Sequence, residues 1–205
     1  MNTLPWRSAL LCKCAASASL IEGLRRWLVY DRAAVGQGQW WRLLSGNLVH
    51  FSTLHAAMDL VAVLIAGGLL ERRGYPHYWS LCLLSAAAVG AAVQWLRPDL
   101  GGYGGLSGIA MAMVATLCLE GLREGGAWAW ICAAALALLL AKLGWELATG
   151  SSLSAAAGEQ AYLPVPQAHA AGVAAAALLF GLRRIRRPEC AGSSRGSSAT
   201  PRWNP

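Results

Sequence analysis

Ser107 stands in Gly101-Gly-Tyr-Gly-Gly-Leu-Ser-Gly108, a glycine-rich stretch that opens an apolar run of membrane-spanning character. A serine hydroxyl is a weak nucleophile until a neighbouring base takes its proton, and His169, at the head of a later apolar run, is the candidate base. In an earlier run His55 and Asp59 are four residues apart and share a helix face, with His50 just ahead of them. Together these groups suit acyl transfer, in which a nucleophile attacks a carbonyl and nearby donors stabilise the oxyanion that forms. The plainer reading of a glycine-flanked serine in a membrane helix is close packing of small residues. What favours chemistry is a histidine placed to meet it.

The elements that must position these groups are apolar helices. The chain of 205 residues is 56% hydrophobic and 13% charged, with a mean hydropathy of +0.43, and reads as one compact integral membrane domain. Its net charge of +7 comes from basic residues at the ends of apolar runs and in the tail. Membrane topology explains that pattern, and no nucleic-acid module is present, so nucleic acid is not an expected partner. The six cysteines have neither disulfide-framework nor zinc spacing, and no His-Glu-x-x-His occurs. No metal and no cofactor is expected.

Residues 8–21 form a weak first span carrying Lys13, for which a signal peptide or an interfacial helix is the alternative. Residues 22–42 read as an interfacial loop, with Trp40 and Trp41 at headgroup level. Further spans are expected at Leu48–Leu70, Tyr78–Leu96, Leu106–Leu122, Ala127–Leu147 and Ala168–Leu182. His50, His55 and Asp59 interrupt the first of these, and polar groups at membrane depth commonly face the bundle interior. Lys142 and Glu146 share a helix face near the end of their span and read as a structural ion pair at the interface. Residues 1–187 are expected to be the membrane domain, and residues 188–205 a disordered cytoplasmic tail.

His55, Ser107 and His169 each lie in the first part of their spans, and successive ones are separated by two crossings. All three therefore enter from the same side of the membrane. Arginines crowd the opposite side, above all from Arg183 to Arg187, which favours a cytoplasmic C-terminus and a site opening outward.

Gly105-Leu-Ser-Gly108, His169-Ala-Ala-Gly172, and Trp41-Arg42 followed by His50 and His55 resemble the rhomboid family of intramembrane serine proteases. Tyr30-Asp31-Arg32, Gly38-Gln-Trp-Trp-Arg42 and Pro164-Val-Pro-Gln-Ala-His169 are most similar to its rhombosortase branch. The resemblance implies an all-α, six-transmembrane-helix bundle with a catalytic dyad of Ser107 and His169. It further implies that the chain cleaves membrane-anchored proteins near the outer face of the bilayer. The branch implies a bacterial inner membrane, a site facing the periplasm, and substrates with C-terminal Gly-Gly sorting anchors. Gly105 and Gly108 would let a substrate backbone approach, and an amide at the head of the Ser107 helix would face the oxyanion.

His55 matches a family histidine that supports the oxyanion. Asp59 stands where the family usually has asparagine; it could serve if neutral, or by orienting His55. His50 matches a more peripheral histidine with a structural role. Met111 replaces a tyrosine that commonly stacks on the base, and Ala176 replaces the second glycine of a helix-packing pair. No carboxylate is evident beside His169, so helix packing is expected to hold the imidazole. Two rival readings are a pseudoprotease that binds transmembrane segments without cutting them, and a metal or proton transporter built on the histidines and Asp59.

Overall fold

The computed structural model describes residues 5–150 and 165–185. The expected tail, and most of the loop before His169, lie outside them. Helix α1 (Trp6–Leu20) is followed by α2 (Glu22–Leu28), the two-residue strand β1 (Tyr30–Asp31), α3 (Arg32–Gly36), α4 (Arg42–Ser45) and a 3-10 turn (Gly46–Leu48). Then come α5 (Thr53–Arg72), α6 (Tyr78–Leu96), β2 (Gly102–Tyr103), α7 (Ser107–Gly121), α8 (Gly126–Thr149) and α9 (Pro166–Ile185). Helices α5, α6, α8 and α9 are long and apolar enough to cross a bilayer; α7 is a shorter apolar helix. The chain is a mostly helical multi-pass membrane protein.

Helix α7 is the centre of the bundle. It is buried on nearly every face, and its small residues Gly108, Ala110, Ala112 and Ala115 let neighbouring helices come close. Such contacts matter because lipid tails are as apolar as leucine, so burial alone does little to hold helices together in a membrane. Helix α8 is the opposite case: its buried residues are Cys132, Leu139 and Glu146, one narrow seam at seven-residue spacing.

Helix α1 runs antiparallel along α5. At one end the Glu71 carboxylate accepts from the Arg7 and Ser8 amides at 2.9 and 2.7 Å and from Ser8 Oγ at 2.6 Å, satisfying donors the helix leaves open. At the other end the Ser19 hydroxyl accepts from the His50 amide at 3.0 Å.

Residues 22–42, expected as a loop, instead hold two short helices and a strand. The strand β1 pairs antiparallel with β2, Tyr30 opposite Tyr103 and Asp31 opposite Gly102, so the otherwise helical fold carries a two-residue ladder. Arginines make this segment rigid. Arg32 donates to the carbonyls of Val93, Arg97 and Leu100 at 3.0, 2.8 and 3.0 Å, capping the end of α6. Buried Arg42 donates to the carbonyls of Arg26 and Val29. Burial holds the Tyr30 hydroxyl above its usual titration range, and it donates to Gln94 at 2.7 Å.

The span expected from Leu48 begins later, at Thr53. Ser52 caps it, its hydroxyl accepting from the His55 amide at 3.3 Å. His50 accordingly lies ahead of the helix rather than within it.

Candidate active site

Ser107 is the first residue of α7 and His169 lies in the first turn of α9; both are buried. The two helices meet beside them. A Cβ on Gly172 would lie 1.9 Å from the Gly108 carbonyl oxygen, and a Cβ on Gly108 would lie 2.9 Å from that of Ala168. Only glycine at these positions permits such backbone contact. Buried Ala176, one turn further along α9, keeps the small-residue seam. Ser107 Oγ has no hydrogen-bond partner among the described residues. The helical ladder of α7 starts with the Ala110 amide donating to Leu106, which leaves the amides of Ser107 and Gly108 ahead of it.

His55 and Asp59 are buried in the first turns of α5, on the face that meets Gly105. Gly105, at φ +147°, passes so near the imidazole that a Cβ would sit 2.7 Å from His55 Cε1. Asp59 Oδ2 lies 3.2 Å from His55 Nε2 and 3.1 Å from His50 Nε2, so one carboxyl oxygen joins both rings. His50 also accepts from the Leu106 amide at 3.3 Å and meets Ser19 Oγ through Nδ1 at 3.3 Å. It thereby ties α1, α5 and the approach to α7 together. The nearest ligand atoms of His50, His55 and Asp59 lie within 4.8 Å of one another, a donor set of metal-ligating type. In this structure Asp59 Oδ2 meets His50 Nε2 in a hydrogen bond and lies 3.2 Å from His55 Nε2.

The sequence reading left His169 without a carboxylate, and here the structure corrects it. Glu146 Oε2 lies 2.7 Å from His169 Nδ1, while Glu146 Oε1 accepts from Lys142 Nζ at 2.5 Å. The expected pair of Lys142 and Glu146 is present, and Glu146 is enclosed by protein on every side: it is 0% exposed. Two signals could have found it. Cys132, Leu139 and Glu146 continue one seam at seven-residue spacing. Moreover, a residue near the end of α8 stands on the same side as residues that open α7 and α9.

Buried serine, imidazole and carboxylate groups converging at one end of a multi-pass helical bundle define an integral membrane protein with a polar site enclosed by its helices. The chain belongs to the rhomboid family, for residues 37–184 match the rhomboid domain. It is 35% identical over 104 residues to the rhomboid protease GlpG of Pectobacterium atrosepticum, an alignment covering 50% of this chain and 37% of that protein. Against the rhomboid protease GlpG of Serratia proteamaculans it is 33% identical over 103 residues, covering 50% and 36%. The matched stretch is thus well under half the length of these relatives.

Proposed function

We propose that the protein is an intramembrane serine endopeptidase in which Ser107 is the nucleophile and His169 the base. The observation that carries this reading is the backbone contact of Gly108 with Gly172, which draws the heads of α7 and α9 together beside the two residues. In the reaction, Ser107 Oγ attacks the scissile carbonyl carbon as His169 takes its proton through Nε2, since Nδ1 is engaged by Glu146. The tetrahedral oxyanion meets the open amides at the head of α7 and the imidazole of His55. Collapse expels the amine, which receives the proton from His169, and water then hydrolyses the acyl-enzyme by the same route.

Asp59 orients His55 and His50 in this scheme, in keeping with its contacts to both rings. Six crossings are proposed, with α1 counted as a span because it reaches both ends of α5. The site opens to the periplasmic face of a bacterial inner membrane, as the arginine distribution favours. Substrates are membrane-anchored proteins, and the likeness to the rhombosortase branch points to C-terminal Gly-Gly anchors cut near small residues, where glycines loosen a substrate helix.

A fluorophosphonate probe tests the core of the proposal. It is expected to label the wild-type protein in detergent and to fail on Ser107→Ala and His169→Ala. Equal labelling of wild type and Ser107→Ala would overturn it. Mass spectrometry of co-expressed anchored substrates then locates the cut, expected in the outer half of the membrane.

A further inference from the structure

Glu146 is an acid on the helix least enclosed by the bundle, yet it is wholly buried, and each carboxylate oxygen has its own partner. An ionised carboxylate inside a membrane protein is costly unless paired and hydrogen-bonded, so a fold that places one there must satisfy it on both sides. Lys142 supplies the positive charge at Oε1, and its side chain is 29% exposed. With Oε1 so engaged, Oε2 is an acceptor 2.7 Å from His169 Nδ1, the length of a charge-assisted hydrogen bond. An ionised carboxylate can only accept, so Nδ1 carries the proton. Nε2 is then the unprotonated nitrogen, as a general base requires.

We propose that Glu146 is a positioning residue which, held by Lys142, fixes the tautomer and orientation of His169 and stabilises the imidazolium formed during attack. The site is then a Ser107–His169–Glu146 triad rather than a dyad. This rests on Ser107 and His169 acting as nucleophile and base. It also accounts for Met111, since a base held by a carboxylate has no need of a stacking tyrosine to set its ring. The carboxylate comes from α8, which leaves the proton-transfer chemistry of α7 and α9 unchanged: the proton moves between Ser107 Oγ, His169 Nε2 and the leaving amine, and Glu146 stays ionised throughout.

The test uses purified full-length protein in detergent or liposomes with a transmembrane substrate. Glu146→Gln is expected to lower kcat by on the order of 10³- to 10⁴-fold with little change in KM, because an amide no longer enforces the tautomer. Glu146→Asp, which keeps the charge, is expected to recover about tenfold or more of that loss. Independently of activity, ¹⁵N NMR of histidine-labelled wild-type protein, assigned with His169→Asn, should show a protonated, strongly hydrogen-bonded Nδ1 on His169. A Glu146→Gln enzyme with near-wild-type kcat beside an inactive Ser107→Ala would overturn the triad and leave the protease reading standing. Activity surviving in Ser107→Ala would instead bring down the protease reading itself. If Glu146→Gln fails to fold, the wild-type spectrum decides, and an unprotonated Nδ1 on His169 refutes the proposal.

Discussion

The α-carbon of Gly172 faces the carbonyl oxygen of Gly108 with so little space between them that a Cβ would lie 1.9 Å from that oxygen. The obstacle is backbone and cannot rotate away. Gly172→Ala is therefore expected to part α9 from α7, lowering stability by about 1–3 kcal/mol or more and reducing activity further by separating His169 from Ser107. Gly181, on the same helix with nothing near its α-carbon, is the control. Gly181→Ala should be neutral or stabilising by about 0.5–1 kcal/mol. Thermal unfolding in detergent, paired with cleavage assays, reads both.

Asp59 bridges two imidazoles through one oxygen. Asparagine has the same shape and can still reach both rings, so Asp59→Asn is expected to keep most of the activity in a reconstituted cleavage assay. A loss as large as that of Ser107→Ala would show that the charge itself is required. Asp59→Leu removes the carboxyl oxygen that both rings meet and should cost about 1–3 kcal/mol of stability, measured by unfolding in detergent.

Lys142 is the only described partner of Glu146 Oε1. Lys142→Met leaves that oxygen buried without a donor while sparing the bond to His169. The expected result is a fall in kcat of about tenfold, well short of that for Glu146→Gln. Equal losses for the two variants would show that the charge of the pair, rather than the bond to His169, governs the rate.

Arg32 caps α6 through the carbonyls of Val93 and Arg97 and holds the following loop through that of Leu100, and so anchors the segment that carries β1 against the loop leading to Ser107. Arg32→Ala is expected to cost about 1.5–3 kcal/mol. Arg32→Lys should restore only part of it, because an ammonium lacks the planar fork that meets several carbonyls at once. Limited proteolysis between residues 22 and 45 should quicken in both variants.

Much of the fold was legible because apolar length is a strong signal in one dimension. The span read as Tyr78–Leu96 matches α6 residue for residue, and α7, α8 and α9 begin within about two residues of where polarity and glycines placed them. The start of α5 was misplaced because Leu48 and Val49 look like the head of an apolar run. A serine cap and an extended stretch that packs against Gly104 push the helix onward to Thr53. Residues 22–42 hid their short helices because arginine contacts to distant carbonyls, rather than periodicity, hold them in shape.

The sequence by itself determined the class of the protein, its main spans, and that Ser107, His55 and His169 open toward one side, because hydropathy and crossing parity depend only on order along the chain. Only the tertiary structure decided what touches what. A glutamate four residues from a lysine looks complete within its own helix; the seven-residue seam marks it as inward-facing, but that its second oxygen meets a histidine 23 residues further on depends on how the helices pack. That contact exists because α7, α8 and α9 pack with the end of one against the heads of the others. Helix rotation about the seam of Cys132, Leu139 and Glu146, set by packing, turns an ordinary ion pair into the partner of His169.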